Sequence, residues 1–431
     1  MKPKDLNRFL IDRAHEDDEF RDRLLKAPKA TIESEFDVEI PDNHELVVHE
    51  ESYAVTHVVL PPRDKYSKAE REEARKGVGS LEFLRKTLHD PAPPMRSVEI
   101  SDSKIRRNVV SQRSLAAACR DSISKGLVYL NSTVDPNGAW HCIRFNVAKP
   151  EIPRHYERPP FISAFCALAL ACSNEKLAQS IYRRTKRYIA DTIEYPGLWR
   201  YYRHLPNDLD STSLCSLVLN THPWTLLRRN VATILRNRDE NGLFLTWIHT
   251  DDDPEVVSPF RIEADPVVNA NLIAYLGDRS ETKEAQRWLT GSITDGSLVG
   301  ASKWYPDPVA VFYAISRAMV FVPTIFQQLR PKLIEQILDL RDRSGRFQNA
   351  LQTAQAVSAL YNIESLNEID VSLQLETIIG MQRDDGSWPE ILAFGDQSLN
   401  WGPFGQIGHA SESVTGAFCV EALERLVEHL G

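Results

Sequence analysis

No apolar run approaches the roughly 18 residues that a membrane-spanning helix needs, so an ordinary transmembrane protein is excluded. The amino terminus is charged from the start and lacks a signal peptide's apolar core. The six cysteines (Cys119, Cys142, Cys166, Cys172, Cys215 and Cys419) form no Cys-x-x-Cys pair. They read as reduced packing residues of a cytoplasmic protein, and neither a disulfide framework nor a zinc ribbon is indicated. A basic stripe, the footprint of nucleic-acid binding, is missing too. Apolar content, in contrast, is ample. Of 431 residues 42% are hydrophobic, which supports a buried core and excludes disorder throughout.

Charge is unevenly spread. Residues 1–60 hold 8 Lys+Arg against 15 Asp+Glu, a balance of −7 that leaves only −2 of the chain's −9 to the rest. This split marks an acidic head on a nearly neutral body, whose ligand is not gathered by long-range charge. Within the head, Leu6, Phe9, Leu10, Ala14, Phe20, Leu24 and Leu25 share a helical face over residues 5–25, and Pro28 is expected to end that helix. Residues 46–49 and 54–60 read as two short strands, closing on Pro61-Pro62. Residues 63–111 form a charged, proline-rich linker without visible chemistry.

From about residue 112 to 431 the chain repeats. Apolar segments begin near Phe161, Asp210, Pro266, Asp307, Asn349 and Ser411. More charged partners lie near 113–130, 174–192, 223–237, 280–290, 324–341 and 367–382. An inner helix can be apolar nearly all round, whereas an outer helix shows one face to water. Six such pairs predict an all-α fold, a closed (α/α)6 barrel behind a small α+β head. Turns built on glycine and an aromatic separate the pairs: DPNGAW at 135–140, YPGLW at 195–199, DENGLF at 239–244, RSGRF at 343–347 and QRDDGSW at 382–388. Glycine supplies the left-handed turn and the aromatic is expected to pack beneath it.

Two Asp residues precede the second apolar segment in PNDLDSTS at 206–213. Protonating an unactivated alkene needs a strong acid that still holds its proton. Two carboxyls in one apolar site oppose joint ionisation, so one stays neutral. A helix N-terminus and nearby hydroxyls favour the anion left behind and ease proton loss. The competing reading is that Asp208 or Asp210 merely caps the helix.

QRDDGSW resembles the QW motif of the terpene cyclase and prenyltransferase barrel superfamily, and PNDLDSTS resembles the Asp-x-Asp-Asp-Thr motif of class II terpene cyclases. The resemblance covers about residues 112–431, with the barrel present once. It implies an isomerase- or lyase-type cyclisation of an isoprenoid, either a free polyene or a prenyl diphosphate. Asp210 would be the general acid, with Asp208 the first aspartate and Thr212 the threonine. Ser211 stands where the family has its last aspartate. With FRDRLLKAPKATIESEFDVEIPDN at 20–43 followed by THVVLPP at 56–62, residues 1–62 resemble the leader-peptide family derived from the nitrile hydratase alpha subunit, which implies a protein partner for the head. A plain docking or oligomerisation module is the other reading.

A carbocation needs walls that tolerate positive charge, and aromatic faces supply about 0.5–2 kcal/mol each. The entrances offer Phe161, Trp199, Tyr202, Trp247, Trp304, Tyr305, Phe347, Trp388, Trp401 and Phe404, most of them expected in the core. Phe161, Trp199, Tyr202, Trp304, Tyr305 and Trp401 are the substrate-contact candidates, with Ser211, Asp265 and Asn269 as polar ones. Glu157, Asp307, Gln352, Ser411 and Glu412 sit at equivalent entrances. No cofactor is required. A diphosphate substrate would bring in Mg2+, with Arg200, Arg203, Arg261 and Lys303 near the entrances. Asp208 or Asp210, Cys215 and His409 supply the residue types of a zinc set without its local context, and Asp251-Asp252-Asp253 reads as a solvated loop rather than a magnesium site. The alternative from another class is a non-catalytic barrel that holds a lipid or peptide, with the head as docking tag.

Overall fold

The computed structural model describes residues 10, 13–14, 17–36, 48, 112–147, 154–202, 205–219, 227–249, 263–395 and 407–430. The chain divides into two compact units, Met1–Arg85 and Lys86–Gly431. The expected strands at 46–49 and 54–60 fall almost wholly outside the described residues, and the linker 63–111 falls wholly outside them.

In the first unit, helices α1 (Asp18–Lys26) and α2 (Pro28–Phe36) pack Phe20, Leu24 and Ile32 together with Leu10. The single helix expected over 5–25 is interrupted. Asp17 leaves helical geometry and caps α1, its carboxylate accepting from the Phe20 amide at 2.9 Å. Pro28 opens α2 where it was expected only to end a helix, because the first helical position has no use for the missing N–H.

The second unit alternates outer and inner helices. The outer ones are α3 (Gln112–Thr133), α5 (Lys176–Asp191), α7 (Leu227–Arg236), α9 (Lys283–Asp295), α11 (Arg330–Leu338) and α13 (Val371–Gly380). The inner ones are α4 (Pro160–Leu170), α6 (Leu209–Leu219), α8 (Pro266–Leu276), α10 (Pro308–Phe321), α12 (Ala350–Asn362) and α14 (Glu412–Leu430). Each inner helix packs on the next, and α14 returns to pack on α4, closing the ring. The (α/α)6 barrel is thus present. Inner α4 buries nine of its eleven residues, whereas outer α5 buries Ala178, Ile181, Thr185 and Ile189 along one stripe beneath its arginines and lysines.

Helix starts are written in side chains. Asp208, Asp265, Asp307 and Asn349 each accept a backbone N–H in the first turn of α6, α8, α10 and α12, at 2.6–3.0 Å. Such a cap contributes about 1 kcal/mol. The fourth residue of three inner helices then grips the aromatic of the preceding turn. Ser163 accepts from the Trp140 amide, Thr212 from Trp199 and Asn269 from Phe244, all at 3.0–3.1 Å.

The glycine-aromatic turns lie directly on outer helices. Gly386 adopts φ +87°, and a Cβ there would come within 2.3 Å of the Lys125 carbonyl on α3. Trp388 goes beneath, fully buried, and its indole donates to the Ile378 carbonyl at 2.8 Å. All six cysteines are free thiols. No helix among the described residues is long and apolar enough to cross a membrane.

One feature departs from the all-helical expectation. A four-stranded antiparallel sheet lies at the inner-helix entrances, with order β2–β1–β6–β5: His155–Glu157, Cys142–Asn146, Ile407–Ala410 and Leu392–Phe394. Short β3 (Asn207–Asp208) pairs with β4 (Trp247–Ile248) beside α6. The strands are two to five residues long, too short for an alternating pattern to stand out.

Gly386→Ala should destabilise the protein by roughly 2–4 kcal/mol, through positive φ and the carbonyl contact. Gly291→Ala, mid-α9 with nothing within 4 Å of the new methyl, should stabilise by about 0.5–1 kcal/mol. Denaturant melts of both variants check this, and equal effects would refute the packing account of the turn.

Candidate active site

Asp208 and Asp210 enter the same helix end for different reasons. Asp208 is the cap, its carboxylate accepting from the Ser211 amide at 2.6 Å and the Tyr201 amide at 2.7 Å. Asp210, in the first turn of α6, is 8% exposed, and both its oxygens meet side chains from later repeats. The Tyr305 hydroxyl donates to Oδ2 at 2.6 Å and the Asn271 amide donates to Oδ1 at 2.7 Å. Asn271 lies on α8, and its own carbonyl accepts from Arg317 Nη2 on α10 at 2.5 Å. Arginine has no acceptor, so this bond fixes which way the amide faces. Oδ1 of Asp210 therefore meets a donor that cannot turn, whereas the tyrosine hydroxyl at Oδ2 can rotate and accept. A neutral Asp210 carries its proton on Oδ2.

Burial pushes the Asp210 carboxyl above the ordinary aspartate range, against the pull of Tyr305, Asn271 and the Arg317 charge. Burial likewise raises Asp208 and Asp265 to about 7, and the charge of Asp210 adds to each. Asp265 caps α8 and also accepts from the Ser302 hydroxyl at 2.7 Å and the Lys303 amide at 3.0 Å. Three buried carboxyls thus share one end of the ring, with the charge of Asp210 acting on both others, an arrangement that keeps protons bound near neutrality.

Beside Tyr305 lies a run of buried aromatic rings. Phe165 on α4 stands 6.4 Å from Tyr305, 4.8 Å from Phe418 on α14 and 5.5 Å from Phe161. Phe394 on β5 meets Phe161 edge-on at 5.1 Å, and Tyr201 lies 5.8 Å from Phe161. A backbone bond of 2.7 Å from Gly395 to Trp304 ties β5 to the segment that carries Tyr305. Deeper in the ring, Tyr313 donates to Glu421 at 2.8 Å and lies under the Arg317 guanidinium. Burial raises the Glu421 carboxyl to about 7.

Phe161 and Tyr305 therefore join the Asp210 neighbourhood, along with Asp208 and Asp265. Trp199 lies fully buried under its turn, with its indole bonded to the Ile189 carbonyl at 3.0 Å. Thr212 and Asn269 hold the Trp199 and Phe244 backbones, and Ser211 is buried at the helix entrance. Trp304 bonds Glu263 and packs edge-on against Trp247 at 5.7 Å. Tyr202 is half-buried, and it is its neighbour Tyr201 that reaches the ring cluster. Trp401, Phe404, Arg203, Arg261 and Asp251–Asp253 lie outside the described residues. Arg200 pairs with Glu194 at 2.6 Å and Lys303 with Glu263 at 3.0 Å. Asp307 and Gln352 line a separate cavity of about 710 Å³, against Arg346, Phe347 and Met381. No group of three His, Cys, Asp or Glu side chains suited to a metal occurs among the described residues.

Sequence reasoning did not single out Asn271, Arg317 and Glu421, although each is a large polar or charged residue within a mostly apolar stretch of an inner helix (PVVNANLIAYL, AISRAM, GAFCVEAL). That contrast was the available signal, since a buried charge must be paired or serve a purpose.

No protein-family model matches the chain. A stretch of 223 residues, 51% of the chain, is 24% identical to drimenol cyclase drtB of Aspergillus calidoustus and spans 38% of that protein's length. A structure of a variant of type II terpene cyclase MstE from Scytonema, in complex with geranylgeranyl dihydroxybenzoate, superposes with a TM-score of 0.58 at 14% identity. It covers 73% of this chain and 99% of MstE. A protein from Actinoplanes superposes with a TM-score of 0.56 at 15% identity, covering 72% and 99%. The second unit therefore has the helical-barrel fold seen in type II terpene cyclases.

Glu421 binds its proton more tightly folded than unfolded, so its contribution to stability is full below about pH 4.5 and lost as pH rises through about 7. Glu421→Gln should therefore raise Tm relative to wild type more at pH 8 than at pH 5. A difference independent of pH would mean that Glu421 is not a buried acid.

Proposed function

We propose that the barrel is a class II terpene cyclase-type enzyme, which starts cyclisation of an isoprenoid by protonating carbon from Asp210. One observation carries the reading. The buried Asp210 carboxyl has a fixed donor on one oxygen and a rotatable hydroxyl on the other, next to a wall of aromatic rings. Proton transfer from Oδ2 leaves an anion that keeps the Asn271 bond and the guanidinium behind it, and gains the Tyr305 bond as that hydroxyl turns to donate, so reorganisation is confined to one hydroxyl. Phe161, Phe165 and Phe394 present ring faces and edges to a cation formed beside it. The likeness to drimenol cyclase and to MstE supports an apolar isoprenoid chain as substrate. A diphosphate on that chain would recruit Mg2+, and the acidic head would dock a protein partner.

The competing capping role falls to Asp208, which separates the two aspartates experimentally. Asp210→Asn should lower turnover of a productive prenyl substrate by at least about 10²–10⁴-fold, the usual contribution of a general acid. Its stability should change little, because the new amide still accepts from Asn271 and donates to Tyr305. Asp208→Asn should instead lose about 1–3 kcal/mol, since one of two backbone donors then faces an NH2 group. Product analysis with farnesyl and geranylgeranyl diphosphates and their free alcohols, beside thermal melts, tests both. Wild-type turnover by Asp210→Asn would rule out protonation from this residue.

A further inference from the structure

The four-stranded sheet assembles a second polar group at the far end of the ring cluster. In its register Cys142 lies opposite Glu157 and Arg144 opposite His409, so these four side chains share one face. Arg144 donates to Glu157 Oε1 at 2.5 Å, and the Tyr201 hydroxyl donates to Oε2 at 3.1 Å. His409 Nε2 stands 3.2 Å from the same Oε2. The imidazole is 7% exposed, and neither nitrogen completes an aligned hydrogen bond among the described residues. Its ring stacks on Phe394 at 5.0 Å and 9° and meets Tyr201 edge-on at 5.2 Å. From Phe394 the contacts run through Phe165 to Tyr305, and so to Asp210.

A buried imidazole stacked flat within an aromatic wall, with Nε2 near a carboxylate and no aligned hydrogen bond on either nitrogen among the described residues, is costly to keep unless it accepts something. We propose that His409 is the base that ends the reaction, with Glu157 as its counter-ion, an assignment that rests on the cyclase reading. His409 takes a proton from a carbon next to the final cationic centre. The C–H electron pair becomes the new C=C bond, and the imidazolium formed faces Glu157. Its proton then leaves to water, and Asp210 regains one from water, so the cycle consumes nothing else. Glu157, whose oxygens already accept from Arg144 and Tyr201, acts on charge and does not take the proton. Tyr201 holds that geometry, with its backbone N–H fixed by Asp208.

The test uses the full chain with farnesyl diphosphate and geranylgeranyl diphosphate in D2O. His409→Phe keeps the stack on Phe394 and removes both nitrogens. Its products should still carry one deuterium, delivered by Asp210. The wild-type alkene, however, should fall at least tenfold as a share of products, replaced by other alkene isomers or by alcohols from water capture. Glu157→Gln should shift products in the same direction by a smaller factor. An unchanged product profile in a folded His409→Phe protein overturns the assignment while leaving the Asp210 reading intact. Should that variant not fold, His409→Gln and Glu157→Gln decide in its place, and wild-type products from both overturn it. A wild-type protein that consumes neither these diphosphates nor their free alcohols removes the cyclase reading, and this assignment with it.

Discussion

Closure of the inner ring is the constraint on which the rest depends. Once α14 packs on α4, an inner helix is enclosed by its neighbours, and a polar side chain on it must find its partner on another helix or in the turns at the ring's end. Asp210, Asn271 and Arg317 meet this demand across α6, α8 and α10, and Tyr313 with Glu421 meets it between α10 and α14. The same burial raises the carboxyls of Asp210 and Glu421 above their ordinary range. An acid that stays protonated near neutrality is thus a consequence of the architecture, not of a special residue.

The helical repeat was legible because period and composition agree. Inner segments expected to begin near residues 161, 210, 266, 307, 349 and 411 begin within one residue of those positions. The turns were legible for a similar reason, since each needs a glycine and a buried aromatic at fixed spacing. The sheet was not. Its β1 and β6 lie more than 250 residues apart in the chain, and no local pattern announces a pairing of three to five residues. With the sheet went Tyr201, Phe394 and His409 as a group, because only the pairing brings them together.

Within the site, residue type and motif position singled out Asp210 but could not separate capping from hydrogen-bonding neighbours. Asp208 and Asp210 lie two residues apart, and that offset sends one carboxylate to backbone amides and the other to side chains. Thr212 and Asn269 are informative in the opposite sense. Both occupy the fourth position of an inner helix, where Ser163 stands in α4, and all three grip the preceding turn. Equivalence across repeats is the mark of a structural role; a functional residue is one that breaks it. Asp210 has no acidic counterpart at the second position of the other inner helices, where Phe161, Val267, Val309, Leu351 and Ser413 stand.

That asymmetry leaves the ring with two charged ends. Arg317 stands behind Asn271 on the side of the acid, and its charge favours Asp210 as an anion. Glu157, held by Arg144 and Tyr201, stands at the other end of the ring contacts that pass through Phe165 and Phe394. Each end thus sets a carboxyl against a guanidinium, so neither presents a large uncompensated charge once its carboxyl is ionised. On the cyclase reading, a positive centre travelling between them would be stabilised chiefly by the aromatic rings on the way, where Coulomb forces are weakly screened.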